Sequence, residues 1–229
     1  VSTLPLPAIA VLLLLWGTVV GLDLVSVPQG LLSRPLVSAS VAGWLVGDLE
    51  TGLRVGAVLE LFALDVLPVG ASRYPEYGPA AVGAALAASF LPPRLGLGVG
   101  VLLGLVVAIL AGWSLGWLRH ANARHVHRLA PEVNGGSVRA IRNLQWAGLG
   151  RDLLRSAAMT LLAMALAYGS FALGPLVWRF PTLVTEALIG VGLAAALSGA
   201  MRTAGQGRRL VWMGVGVAVG LMVALVAPA

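Results

Sequence analysis

Residues 33–79 read SRPLVSASVAGWLVGDLETGLRVGAVLELFALDVLPVGASRYPEYGP. The stretch is largely as apolar as lipid, yet it carries Arg34, Asp48, Glu50, Arg54, Glu60, Asp65, Arg73 and Glu76. Its apolar pieces run over about 35–47, 53–69 and 79–91. Each falls short of the ~20 residues that an α-helix needs to cross a hydrocarbon core of ~30 Å. The breaks, GDLETG (47–52) and GASRYPEYGP (70–79), hold glycine, proline and charge. Such pieces read as half-spans, re-entrant hairpins or buried broken helices. Irregular backbone at membrane depth survives only where protein or a polar cavity covers it.

The rest of the chain supports a membrane setting. Only 10% of its 229 residues are charged and the mean hydropathy is +0.93, whereas a soluble domain carries roughly 25% charge. The apolar runs are continuous rather than alternating, which predicts helices and not a β-barrel. Full-length spans are expected at about 5–22, 97–118, 156–175, 182–200 and 209–227. The first run lacks a basic leader and reads as a retained helix rather than a signal peptide. The fold class is therefore an all-α integral membrane protein, a multi-span bundle with short broken or re-entrant helices in its N-terminal half.

Charge sets the expected topology. The net charge is +6 and every basic residue is arginine. Arg119, Arg124, Arg128, Arg139, Arg142, Arg151 and Arg155 crowd residues 119–155, opposed only by Glu132 and Asp152. Arg202, Arg208 and Arg209 form a second stretch, two spans later. Both then fall on one side, and the positive-inside rule makes that side cytoplasmic. This arrangement favours membrane topology over nucleic-acid binding as the meaning of the basic charge. Three regions follow: an N-terminal membrane region with a broken-helix site (1–118), a cytoplasmic basic loop (119–155) and C-terminal membrane helices (156–229). The loop has the makings of an interfacial helix and a turn at Asn134–Gly136, residues that favour positive φ.

Glu60 and Asp65 are the leading site candidates. An ionised carboxylate at bilayer depth costs about 2.5–3.5 kcal/mol on insertion scales. Such a cost points either to a hydroxyl-rich cargo, a proton or cation site, or to an ion pair with Arg54 or Arg34 that staples the bundle. On one helix the two acids stand about 140° apart, so a break near residues 64–68 is needed to bring both to one cavity. Asp23 and Gln29, at the end of the first span, and Ser72 and Glu76, in the second break, are further candidate ligands. Asp48 is expected to cap the helix that follows it. Ser33, Arg34 and Pro35 form a helix start, with Ser33 as the cap and a carboxylate expected beside Arg34.

Other features are plainer. His120, His125 and His127 lack the carboxylates or thiolates of a metal site, and no metal or cofactor is expected. GLGVGVLLG (96–104) lies within an apolar span, where close helix packing explains its glycines. There is no cysteine, no GxxxxGK[ST] phosphate loop and no nucleophile triad in a sensible setting, so autonomous catalysis is not expected.

Taken together, Arg34-Pro35, the short helix closing in Gly47-Asp48, the Gly52–Gly56 spacing, Glu60 in a leucine-rich piece and the Gly70-Ala71 turn resemble one family. It is the enzyme IIC component of phosphotransferase systems of the mannose/fructose/sorbose type. Asp23 fits the acid that this family places ahead of the Arg-Pro pair, and the specific match covers about residues 15–90. The resemblance implies a sugar-translocating subunit, with a hexose as cargo, in the bacterial cytoplasmic (inner) membrane. It implies a hetero-oligomer with enzyme IID, and soluble IIA and IIB partners whose histidines carry the phosphate. It also implies sugar movement by a core domain shifting against a scaffold. The residues alone leave open a stand-alone proton- or cation-coupled transporter or channel, and an uncoupled membrane scaffold.

Overall fold

A computed structural model describes residues 5–27, 30–66, 73–173, 182–203, 211–212, 214–216 and 218. The helices are α1 (Leu6–Asp23), α2 (Pro35–Val46), α3 (Leu49–Leu64), α4 (Tyr77–Ser89), α5 (Pro93–Asn134), α6 (Val138–Ala172) and α7 (Thr182–Thr203). No strand occurs among the described residues. Four helices, α1, α5, α6 and α7, are long and apolar enough to cross a membrane. They cover the first four expected spans; the fifth, 209–227, lies mostly outside the described residues.

The three short pieces are three short helices. At 12, 16 and 13 residues they reach only about 18–24 Å, less than the hydrocarbon core. Local chemistry sets their ends. Gly47 closes α2 with φ of 86°, a left-handed turn that a side chain resists. Asp48 follows at once and accepts a hydrogen bond from the Thr51 amide at 3.0 Å, starting α3 as a carboxylate cap does. So α2 and α3 fold back on each other with almost no linker. Their contact is backbone on backbone: a Cβ on Gly52 would lie 2.5 Å from the Ala39 carbonyl oxygen and 2.9 Å from Gly43 Cα.

Helix α4 is the centre of the molecule. Every residue from Tyr77 to Ala88 is buried, enclosed by α1, α2, α3, α5 and α6. Its sequence, YGPAAVGAALAAS, is nearly all small residues. Small side chains let helix backbones approach where lipid supplies no hydrophobic drive between helices. Gly83 faces Ala163 of α6, and Gly100 and Gly104 of α5 face Ala84. The GLGVGVLLG glycines are thus packing glycines. The large apolar side chains left outside this core, such as Val106, Ile109, Leu161, Leu166 and Leu193, form the surface that lipid covers.

Residues 119–155 are not a loop. Helix α5 continues through them to Asn134, about 63 Å in all, and α6 resumes at Val138. Only the tip turns, at Gly135–Gly136 with φ of 79° at Gly136, where the NGG reading placed it. The basic residues extend two membrane helices as a helical hairpin. An amide N–H bonded within a helix needs no other partner, so the hairpin can project beyond the bilayer without a domain to support it.

We expect Gly52→Ala to lower the thermal stability of the detergent-solubilised protein by about 1–3 kcal/mol, the cost of overpacking against backbone that cannot yield. Gly116→Ala, whose Cβ would meet nothing within 4 Å, leaves stability unchanged or slightly raised. Equal losses at both positions would contradict this packing.

Candidate functional site

Most charges of the apolar half are engaged, and three clusters hold the ion pairs that link separate helices. The innermost surrounds Arg155. Its guanidinium forms an ion pair with Glu76 through two nitrogens, Nη2–Oε1 at 3.1 Å and the second contact through Nη1. It also holds Asp152, with Nε–Oδ1 at 2.9 Å. Further donations reach Ser114 Oγ at 3.2 Å and Ser156 Oγ at 3.3 Å. Asp152 in turn accepts from the Ser26 hydroxyl. Both carboxylate side chains are fully buried, and Arg155 is 7% exposed. One cation therefore ties the segment after α1, the start of α4, α5 and α6 together. The extended residues Arg73–Glu76 lie across α5, with the Glu76 amide donating to the Ala108 carbonyl at 2.9 Å. A Cβ on Gly112 would meet the Tyr74 carbonyl oxygen at 2.2 Å.

The second cluster is at the foot of α2. Glu60, on α3, pairs with Arg34 and accepts from the Leu36 amide at 3.1 Å. Ser33 makes no side-chain cap, contrary to expectation. The free amides of the helix start are served by Glu60 instead, an anion at the positive end of the helix dipole. The carboxylate expected beside Arg34 is thus Glu60, while Arg54 goes to Glu50 one turn away. Asp23, 1% exposed, clasps the preceding loop: its two oxygens accept from the Gly30 amide at 2.7 Å and the Ser33 amide at 3.0 Å. That clasp holds Leu31 at φ of 63°, a conformation uncommon for any residue but glycine.

The third cluster is at the end of α3. Asp65 pairs with Arg202 of α7, which also donates to the Asp65 carbonyl at 2.8 Å. A cation here serves the orphan carbonyls of a helix C-terminus. Helix α7 comes close because Gly199 leaves room: a Cβ there would lie 2.6 Å from the Leu64 carbonyl oxygen.

The candidates thus separate. Asp23 and Glu76 are buried with their oxygens occupied. Glu60 and Asp65 keep 19% and 35% of their side chains uncovered and lie five residues apart near the C-terminal end of α3, each turned to a different neighbour, Arg34 and Arg202. Asp48 is a cap, as expected. Gln29 and Ser72 lie outside the described residues. Sequence reasoning missed Arg155 and Asp152, which read as members of a solvated basic loop. Their one signal was position, at the apolar edge of α6. A cavity of about 1090 Å³ opens beside Arg155, lined by α5, by Arg151 and Arg155 in the middle of α6, and by Arg73. Neither Glu60 nor Asp65 lines it. Among the described residues no group of His, Cys, Asp and Glu has the arrangement of a metal site.

A family model described as the sorbose-specific IIC component of the PTS system matches residues 8–200. The fructose permease IIC component of Bacillus subtilis (strain 168) is 27% identical over 193 residues, covering 83% of this chain and 70% of the relative. The sorbose-specific EIIC component of Klebsiella pneumoniae is 27% identical over 155 residues, covering 68% of this chain and 57% of the relative. The mannose-specific EIIC component of Escherichia coli (strain K12) is 24% identical over 169 residues, covering 73% and 62%. The chain thus spans less than two thirds of the last two relatives. Among solved structures, a membrane protein aligns with a TM-score of 0.66 at 20% identity, covering 98% of this chain and 94% of the other. A cryo-EM structure of the mannose transporter ManYZ with microcin E492 aligns with a TM-score of 0.56 at 20% identity, covering 98% and 89%. These likenesses extend the shared fold well beyond residues 15–90.

Removing one partner of a buried pair leaves an uncompensated charge and costs about 3–5 kcal/mol. We expect Arg155→Gln, which strands two carboxylates, to cost more stability than Glu76→Gln, which leaves the Asp152–Arg155 pair. Arg54→Gln, at an exposed pair, should cost less than about 1 kcal/mol. Thermal unfolding of the three purified variants checks the order.

Proposed function

The chain belongs to the sorbose-specific IIC component family of the phosphotransferase system, and we propose that it is the membrane subunit through which a sugar crosses the bacterial cytoplasmic membrane. In this reading it carries no phosphoryl chemistry of its own. That chemistry resides in soluble IIA and IIB partners, and an enzyme IID subunit completes the membrane complex. The cargo is a hexose. The helical hairpin around Gly135 faces the cytoplasm, where partners reach it.

The observation that carries the proposal is the set of half-length helices α2, α3 and α4 inside a frame of full spans. A structure needed only to stay in the membrane gains nothing from helix ends at membrane depth. Each end exposes backbone groups that must find partners. A sugar needs such a place, because every hydroxyl it buries without a partner costs about 1–3 kcal/mol. Of the six proposed ligands, Glu60 and Asp65 suit the role best. An ionised carboxylate has about four acceptor sites, and each of these two spends only part of them on its neighbours. Asp23 and Glu76 act by holding the frame. Gln29 and Ser72 belong to the segments that flank the same short helices in sequence.

We expect Glu60→Gln, co-expressed with the partner subunits, to lose sugar uptake and sugar binding while the complex still assembles. Unchanged binding would remove Glu60 from the site. Uptake by the purified chain alone, driven by a proton gradient, would overturn the proposal in favour of a stand-alone carrier. A reporter fused at Asn134 should read as cytoplasmic; an external signal reverses the topology.

A further inference from the structure

The cavity outside Arg155 differs in kind from a sugar site. Its lining includes Arg73, Arg124, Arg151, Arg155 and His120, with the indoles of Trp113 and Trp117, and no acidic residue among the described residues. The charge of Arg155 is spent inward on Glu76 and Asp152. The other three arginines face no carboxylate among the described residues. Arg151 bonds only to neutral groups, Asn122 Oδ1 at 3.0 Å and His125 Nδ1 at 2.8 Å. Neither Arg73 nor Arg124 has an ion pair among the described residues, and both side chains are exposed. A neutral sugar has no use for three unneutralised guanidinium groups. A phosphate does, since the planar donor fork of arginine matches its oxygens.

The depth of the cavity says where that phosphate is. The apolar part of α5 ends at Leu118, and the apolar part of α6 begins just after Arg155. The cavity straddles this boundary on α5 and reaches it from the polar side on α6, through Arg151 and Arg155. Trp113 and Trp117 stand 61% and 84% exposed there, as indoles do at the level of lipid headgroups. Basic pockets between membrane helices at this level take anionic headgroups. The volume exceeds the need of a bare phosphate ion and lies at the upper end for small-ligand sites.

We infer that this cavity binds a phosphate group at the membrane–water interface, carried either by an anionic lipid headgroup or by a soluble phosphate. The inference does not depend on the cargo proposed above. Two probes separate the sources: short-chain phosphatidylglycerol and inorganic phosphate, each titrated calorimetrically into the purified full-length chain in neutral detergent. Short-chain phosphatidylcholine serves as the zwitterionic comparison. We expect at least one anionic probe to bind more tightly than phosphatidylcholine. Arg73→Gln/Arg124→Gln should weaken that binding about thirtyfold, from roughly fivefold per arginine near the surface. Both side chains are exposed, so the fold tolerates their loss. Arg139→Gln/Arg142→Gln removes the same charge from exposed positions about 14–18 Å along α6 from Arg151 and should leave binding within about twofold, beyond a Debye length of ~10 Å. Binding of phosphatidylglycerol alone assigns the site to lipid, and binding of phosphate alone assigns it to a soluble phosphate. Failure of both probes, or an equal loss in the two double variants, overturns the inference.

Discussion

One guanidinium enclosed by two carboxylates is the constraint on which the arrangement depends. Arg155 enters the apolar interior because Glu76 and Asp152 meet it there, and they are tolerated because it meets them. Their individual desolvation costs are several kcal/mol each, so none of the three is stable in place alone. The hydroxyls of Ser26, Ser114 and Ser156 satisfy much of what remains, and among the described residues no buried side-chain polar atom lacks a partner. An apolar substitute of the same volume would hold the helices together but would not select the register. A bidentate ion pair fixes where the extended segment before α4 crosses α5. It thereby fixes where α4 begins, and α4 is the helix that everything else packs around.

The same logic governs the ends of the short helices. A helix that stops at membrane depth presents bare amides at one end and bare carbonyls at the other. Water serves those groups in a soluble protein, whereas here distant side chains do. Glu60 serves the start of α2 from α3, and Arg202 serves the end of α3 from α7. Each server is charged, and each meets an opposite charge carried by the very residue at that end: Arg34 beside the start of α2, Asp65 at the end of α3. The charges in residues 33–79 are thus the counterpart of its interruptions. Broken helices require them.

This explains what the sequence revealed and what it withheld. Hydropathy and length placed α1, α5, α6 and α7, and glycine and proline marked the breaks that bound α2, α3 and α4, because these signals are local. Asp48 as a cap and the turn at Gly136 were legible for the same reason. The pairings were not. Glu60 caps a helix 24 residues earlier, and Arg155 finds Glu76 across 79 residues. No local pattern records such partners, and a count of basic residues treats Arg155 like Arg128. The extent of helix over residues 119–155 was only partly legible, for a similar reason. Polarity at the end of a span reads as a loop, but helix propensity persists there, and a water-exposed helix carries arginine as readily as a loop does.

The two kinds of charged contact suit two mechanical roles. The Arg155 cluster is sealed, and separating its members exposes bare charge to an apolar interior. It therefore belongs to parts that stay together: α1, α4, α5 and α6. The pairs Glu60–Arg34 and Asp65–Arg202 are only partly covered by protein. Each keeps part of its acidic side chain uncovered, 19% for Glu60 and 35% for Asp65, so an incoming hydrogen-bonding group reaches it without entering a sealed interior. A hydroxyl-bearing cargo of the kind proposed above would compete there without disturbing the sealed cluster. A carrier needs both properties at once, a frame that holds its register and polar contacts that let go. In this chain they are divided between interior and edge, and the short helices α2 and α3 carry the edge.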